Sequence, residues 1–397
     1  MKILHIIPSV SSIRGGPSQA VLEMVRSLRE NDIDAEILTT NDNGSGLLDV
    51  PLRKRIEYQN VPVYFFPRFS PPIHPIREFA FSREFTSWLW ENIHQYDLVH
   101  IHAIFSYPST VAMAIARRKN IPYIIRPLGQ LCEWSLKQSV LRKDIYLNLI
   151  EKFNLNQAQY IHLTSELEQQ EVSHLELKAP NFILPHGLKI PATVPEAHEK
   201  LRKQLKLPDD EPIILFLSRL HPKKGLDYLI PALSKLTDYR FTLVIAGSGS
   251  PEYEAEIELL LETNNIRNRT HVTGFLQGEI KDLFIQGSDL FALTSHSENF
   301  GVAVLEALAV GLPVLVTPGV ALASVVQENK LGYVASLDIS AITSIIENYL
   351  INPQEAKEMG TRARQLIIEQ YTWNSIAKRL IQVYTDIIQN QTISIDK

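Results

Sequence analysis

Glu298 and Glu306 stand eight residues apart in an otherwise apolar run, residues 297–313, and Asn299-Phe300-Gly301 follows the first. An ionised carboxylate is expensive in apolar surroundings unless something pairs with it. Two of them in one such run suggest groups meant to meet a ligand. The pattern predicts a strand over 289–293, a loop over 294–300 and a helix over 301–310. Glu298 then lies in the loop and Glu306 one to two turns into the helix. The helix start between them, with free N–H groups and a partial positive charge, suits a phosphate. The other reading is a capping carboxylate plus a satisfied glutamate in a core helix, and spacing alone does not choose.

A second set of candidates follows the apolar run 212–217: Ser218-Arg219-Leu220-His221-Pro222-Lys223-Lys224-Gly225. Cations at a strand-to-helix turn are what a pyrophosphate needs. Arg219 offers a fork for oxygens and Lys224 a point charge. A plain surface loop is the alternative. In the first half, His100 and His102 alternate along a strand at 97–101 and so share a face near its carboxyl end, where open α/β sheets bind ligands. One of them is read as a hydrogen-bonding or proton-handling group and the other as packed. A metal pair is the rival reading, but no third ligand stands at a recognisable spacing. Arg126, at the exit of the next strand, and His100 are the candidate acceptor contacts.

These residues need positioning by a particular kind of scaffold. Residues 3–7 read as a strand, Arg14-Gly15-Gly16 as a turn, 17–29 as a helix and 35–39 as the next strand. Strand, glycine turn, helix, strand is a βαβ unit with a parallel sheet. Gly15 and Gly16 would let the backbone approach a ligand, although the full G-x-G-x-x-G spacing is absent. Residues 42–58 read as a polar loop. Residues 77–93 read as one helix with a broad aromatic face, packed on the sheet or, alternatively, lying at a membrane surface. Residues 136–156 read as a long helix with Lys137, Arg142 and Lys143 in its early turns, a solvated face or a site for an acidic acceptor. Pro185-His186-Gly187 leads into a boundary stretch. The βα alternation then restarts at 212–217, with Gly247 and Gly249 in the turn after the strand 241–246. Three helices over 339–350, 353–369 and 373–388 close the chain.

Composition narrows the class. The chain has 397 residues, enough for two domains of ordinary size, with 45% apolar and 21% charged residues. A net charge of −5 without a basic stripe gives no support to nucleic acid as a partner. The one cysteine, Cys132, rules out an internal disulfide and fits a cytoplasmic location. No run is long and unbroken enough to span a bilayer, and the N-terminal apolar run is better explained by a strand than by a secretory signal. Peripheral membrane contact stays open.

The ordered set resembles family 4 of the retaining glycosyltransferases, which have the GT-B fold. It comprises the N-terminal glycine turn, the His-x-His strand end, Ser218-Arg219-Leu220…Lys224-Gly225, the Gly-x-Gly turn, Thr273-Gly274-Phe275 and Glu298-x7-Glu306 with Asn299-Phe300-Gly301. The resemblance covers nearly the whole chain. It implies two Rossmann-like doubly wound α/β domains facing one another across a cleft. Residues 1–187 would form the acceptor domain, joined by a crossover helix over 373–397, and residues 188–372 the donor domain. Carried over, Arg219 and Lys224 would hold the diphosphate of a nucleotide sugar and Glu306 its ribose hydroxyls. Glu298 would position the sugar hydroxyls, with the Asn299, Phe300 and Gly301 backbone. Val302 and Ala303 would help the phosphates, and Phe275 would lie near the base. Gly247 and Gly249 would line the cleft, which Gly15 and Gly16 would approach from the other domain. His102 would lie near the reacting sugar.

The implied reaction is sugar transfer to an acceptor hydroxyl with retention. It needs no metal or other cofactor, and the acceptor is a glycan or a lipid-linked glycan in polysaccharide or glycolipid synthesis. No protein nucleophile is evident, so a same-face displacement is preferred to a covalent intermediate. Two departures stand out. His186-Gly187 replaces the Asn-Gly common in the family, and Gly319-Val320-Ala321-Leu322-Ala323 replaces Gly-Gly-x-Pro-Glu, which leaves the sugar open. Rival functions are another GT-B enzyme, such as a nucleotide-sugar epimerase or a phosphorylase, and a non-catalytic nucleotide-sugar-binding component of an assembly complex.

Overall fold

The computed structural model describes residues 1–137 and 145–393. The chain folds as two compact units, Met1–Gly187 with Trp373–Lys397, and Leu188–Thr372.

In the first unit the strands are β1 (Lys2–Ile6), β2 (Asp34–Thr40), β3 (Asp42–Asn43), β4 (Gly46–Leu47), β5 (Arg55–Tyr58), β6 (Val61–Phe66), β7 (Leu98–His102), β8 (Tyr123–Arg126), β9 (Tyr160–Leu163) and β10 (Asn181–Ile183). Eight of them form one sheet in the order β10-β9-β8-β7-β1-β2-β6-β5. All neighbours are parallel except β5, which pairs antiparallel with β6. Strand order reverses between β1 and β7, and that reversal opens a crevice at their carboxyl ends.

The last helix, Trp373–Ile388, belongs to this unit. It buries Trp373, Ile376, Ala377, Leu380, Val383, Tyr384 and Ile387, a stripe at helical spacing that joins the core over β1, β7, β8 and β10. Each large apolar side chain so buried contributes about 1.5–3 kcal/mol.

Three regions differ from the sequence reading. The aromatic segment is two helices, His74–Glu78 and Arg83–Asn92, because Ala80 takes a left-handed conformation between them and Ser82 caps the second. Its aromatic face is divided: Phe85 is buried, whereas Phe81 and Trp90 are exposed. The loop read at 42–58 contains the β3–β4 hairpin and edge strand β5. The long helix read at 136–156 is not continuous through the described part. A short helix spans Glu133–Lys137, and a π-helical turn at Leu147–Glu151 precedes a helix at Lys152–Leu155. Arg142 and Lys143 lie outside the described residues.

In the second unit the strands are β11 (Ile213–Leu217), β12 (Thr242–Ala246), β13 (Thr270–Gly274), β14 (Leu290–Leu293), β15 (Val314–Val316) and β16 (Gly332–Val334). They form an all-parallel sheet in the order β13-β12-β11-β14-β15-β16. β11 and β14 are buried runs of apolar residues, as strands covered by helices on both faces must be. The order reverses between β11 and β14. Part of the boundary stretch is helical, at Ala197–Leu205.

Candidate active site

Arg219, Lys224 and Glu298 come from the carboxyl ends of the two strands that flank the reversal in the second unit. After β11 the chain runs through Arg219 to a 3-10 turn, Pro222–Lys224, capped by His221, whose Nδ1 accepts from the Lys223 N–H at 3.2 Å. After β14 it runs through Thr294 to Glu298. The two loops are fastened together. Thr294 Oγ1 donates to the Gly225 carbonyl at 2.7 Å, and the His296 N–H donates to the Lys223 carbonyl at 2.9 Å. Gly225 is needed here, because its φ is +73° and a Cβ would sit 1.8 Å from the Thr294 carbonyl oxygen.

This fastening brings Lys224 and Glu298 into a direct ion pair. Lys224 is buried, and burial, followed by the charges of Lys223 and Arg219, lowers its ammonium to about 7. Glu298 is fixed from its other side as well. Its N–H donates to the Gly319 carbonyl at 2.7 Å, and its carbonyl accepts from the Ala321 N–H at 3.1 Å. The Gly319-Val320-Ala321 segment, where the sequence departs from the family pattern, is thus a backbone rail for Glu298. Gly319 admits no side chain, since a Cβ would lie 2.3 Å from the His296 carbonyl oxygen. Arg219 is exposed and makes no side-chain hydrogen bond or ion pair among the described residues.

Glu298 therefore sits in a loop and Glu306 in the helix Val302–Val310. Gly301, left-handed at φ 87°, is the residue before that helix and has no side chain with which to cap its first N–H groups. They carry the partial positive charge of a helix start. Phe300 is buried, whereas Val302 and Phe275 are 40% and 70% exposed. Glu306 accepts from Lys281 Nζ at 2.7 Å. Nothing local in the sequence marked Lys281, which comes from a separate helix, Gly278–Gly287.

Gly247 and Gly249 serve the backbone: a Cβ on either would lie 1.8 Å from the Ser218 carbonyl oxygen or 2.5 Å from that of Leu220. Together with the bond from the Leu220 N–H to the Ser248 carbonyl, 2.9 Å, they hold the strand end that carries Arg219.

In the first unit, sequence reasoning found three members of a larger buried cluster, His100, His102 and Arg126. His5 on β1 stands opposite His100 on β7, and His102 stands opposite Arg126 on β8. His162, His186 and Tyr384 complete the group, and all seven side chains are buried. His5 Nδ1 and His102 Nε2 are 3.0 Å apart. Burial keeps the histidines uncharged, with His5 lowered to about 3 and the others well below their usual value.

Their proton positions can be worked out. His162 Nε2 lies 2.7 Å from the Leu184 carbonyl, which only accepts, so it carries the proton. Its bare Nδ1 then accepts from His100 Nε2 at 3.3 Å, and the bare Nδ1 of His100 accepts from the Tyr384 hydroxyl at 2.7 Å. His5, His100 and His102 have ring nitrogens within 4.8 Å of one another, so the third histidine that the sequence did not reveal is His5. Both nitrogens of His100 are already committed, however, and a metal there would also face the Arg126 cation.

His100 and His102, read as one hydrogen-bonding or proton-handling group and one packed group, are both 0% exposed, and both hydrogen-bond within the cluster. Arg126 and His100, the candidate acceptor contacts, are equally enclosed. Arg126 lies 3.1 Å from His186 Nδ1. Gly15 and Gly16 have nothing within 4 Å of a built Cβ, so the turn before the first helix is open.

Three comparisons bear on this arrangement. Residues 197–366 match the family described as Glycosyl transferases group 1, and residues 15–186 match the Glycosyl transferase 4-like domain. Among curated relatives, the D-inositol 3-phosphate glycosyltransferase of Gordonia bronchialis is 25% identical over 392 residues, 95% of this chain and 85% of that protein. The N-acetyl-alpha-D-glucosaminyl L-malate synthase of Bacillus anthracis is 23% identical, over 87% of this chain and 95% of that protein. An uncharacterized glycosyltransferase of Methanocaldococcus jannaschii is 30% identical, over 46% of this chain and 47% of its own length. Among solved structures, sucrose-phosphate synthase from Thermosynechococcus elongatus superposes with a TM-score of 0.76 at 19% identity, covering 98% of this chain and all (100%) of that one. Anabaena HepE in complex with UDP gives a TM-score of 0.77 at 19% identity, over 97% and 100%.

Proposed function

The chain belongs to the group 1 glycosyltransferases, and from that premise we propose that it moves a sugar from a nucleoside-diphosphate sugar to an acceptor hydroxyl with retention. The observation that carries this reading is the Lys224–Glu298 pair, held where strand order reverses and beside the start of Val302–Val310. A cation and free N–H groups gathered at one strand end answer a diphosphate. A carboxylate beside them answers sugar hydroxyls.

The bond between the anomeric carbon and the diphosphate oxygen breaks, and negative charge grows on the departing group. Arg219, Lys224 and the helix N–H groups point fixed positive charge at that oxygen, which lowers the barrier. They supply the neutralisation for which other transferases use a metal. The acceptor oxygen bonds to the same face of the anomeric carbon, and its proton passes to the leaving phosphate oxygen. Glu298 orients the donor sugar, and Lys224 holds that carboxylate in place. Glu306 takes the ribose hydroxyls, exchanging its bond to Lys281 for them.

The place of action we assign is polysaccharide or glycolipid synthesis, on a lipid-linked acceptor at the inner face of a membrane. Phe69, Ile73, Ile76 and Phe81 expose 40–56% of their surfaces along one segment of the first unit, which supports peripheral contact. No helix among the described residues is long and apolar enough to cross a membrane.

The test is transfer from a panel of UDP-, GDP-, ADP- and TDP-sugars to lipid extracts, read by mass spectrometry of products and by the anomeric coupling constant in NMR. UDP-glucose is the first member to try. Product with the donor's anomeric configuration is expected. Inverted product, or donor epimerised without an acceptor, would sink the reading.

A further inference from the structure

A cavity of about 260 Å³ opens in the first unit at the carboxyl ends of β1, β7 and β8, beside the reversal between β1 and β7. It lies below the usual range of about 300–1,000 Å³ for ligand pockets, so it suits a sugar ring better than a whole nucleotide sugar. Its backbone is unusual. Among the described residues, fifteen that are not glycine take a left-handed conformation. Eleven are polar residues, and the four apolar ones are Ala80, Ala103, Phe105 and Leu128. All four line this cavity. Each such conformation costs about 1–3 kcal/mol and persists where the surroundings impose it, as they do at ligand sites.

The charges at the cavity are matched internally. Arg14 donates from Nε and Nη2 to Asp42 at 2.6 and 2.8 Å, and from Nη1 and Nη2 to Glu78 at 2.6 and 3.2 Å. Asp42 also pairs with the buried Arg68. Four of the five N–H groups of Arg14 are therefore taken, and the bond from Arg14 holds the Glu78 carboxyl below its usual range. What the walls still offer is mainly carboxylate lone pairs, which accept from hydroxyls. The donor side is represented by Gln130. Its Oε1 accepts from the Ile104 N–H at 2.5 Å, and no partner of its Nε2 group is present among the described residues. Arg126 lies outside the lining and is fully buried.

We propose that this cavity receives the reacting sugar ring of the acceptor, and that it selects an uncharged ring over one bearing a phosphate or carboxylate. The inference rests on the transferase reading above. An anion entering here would find the charges of Arg14 and Arg68 already balanced by Asp42 and Glu78, with one Arg14 N–H left to meet it. A neutral ring would donate its hydroxyls to those carboxylates and accept from Gln130.

The test uses the full chain with the nucleotide sugar that it binds. Octyl glucoside and octyl galactoside are compared with glucose 6-phosphate and L-malate as acceptors. Saturation-transfer NMR of the same probes reads binding apart from turnover. The expected kcat/KM is at least about tenfold higher for an octyl glycoside, since a phosphate or carboxylate entering the cavity gives up its water with no unpaired cation to compensate it. Glu78→Gln, which releases half of the Arg14 fork, should narrow that ratio at least threefold by improving the phosphate. Asp42→Asn is the second variant, should Glu78→Gln fold poorly. Equal or better use of glucose 6-phosphate or malate overturns the proposal. So does failure to use or bind either octyl glycoside in protein that binds and hydrolyses the donor. Protein that binds no nucleotide sugar overturns the transferase reading itself, and this inference with it.

Discussion

Lys224 makes donor binding sensitive to pH in a range where most lysines are inert. Its ammonium is buried, crowded by Lys223 and Arg219, and lowered to about 7 in the free protein, burial and those like charges outweighing its ion pair with Glu298. A diphosphate brings negative charge to it and favours the protonated form, so the bound pKa is higher than the free one. Only protonated Lys224 contributes its charge. Affinity should therefore be full below pH 7 and fall as pH rises above it, by up to tenfold for each pH unit, or about 1.4 kcal/mol. Between pH 7 and 8.5 the loss works out at about fifteenfold. Isothermal titration with the bound nucleotide sugar, in buffers of different ionisation heat, measures both the affinity and the proton taken up. Lys224→Arg supplies the control, since a guanidinium stays charged throughout and should flatten the profile. For folding the sign is opposite. The unfolded chain binds more protons at this residue between about 7 and its ordinary 10.5, so the contribution to stability rises with pH across that window. A wild-type affinity that stays level from pH 7 to 8.5, or a Lys224→Arg profile with the same slope, would refute this account of the lysine.

Gly225→Ala should lower stability in urea by about 2 kcal/mol or more, because the new Cβ meets the Thr294 carbonyl and the left-handed φ is strained, whereas Gly16→Ala, with open space around it, should change it little. Tyr384→Phe removes the proton donor for His100 at constant shape. It should cost about 1–3 kcal/mol in the same assay, and an unchanged midpoint would show that the chain of histidines is not held from this end. Glu306→Gln weakens whatever that carboxylate accepts and should raise the donor KM by roughly tenfold or more with a smaller effect on kcat, as steady-state kinetics would show; a kcat-only effect would remove the ribose assignment.

The sequence made strand ends and helix starts visible where local chemistry marks them. Glu298 in a loop, Glu306 in the following helix and Lys224-Gly225 at a strand exit each carry a short-range signature, glycine or cation beside an apolar run. Pairings across the fold carry none. Lys281 reaches Glu306 from a different helix. Tyr384 reaches His100 from a helix near the end of the chain, and no spacing rule connects them. His5 was hidden for another reason: a single histidine among isoleucines reads as a strand residue, and only the parallel register with β7 sets it beside His100. Asp42 looked like the start of a polar loop because its burial depends on Arg14 and Arg68, both distant in sequence. The aromatic segment misled because helical periodicity continues through Ala80, where the backbone turns left-handed to shape the cavity.

The central claim is that Lys224 and Glu298 form a nucleotide-sugar site. The most direct measurement is titration of the wild type and of Lys224→Ala with UDP-, GDP-, ADP- and TDP-sugars, followed by calorimetry. The account predicts saturable binding of at least one of these donors by the wild type, weakened at least about tenfold in the variant. Binding by neither protein, or equal binding by both, would contradict it.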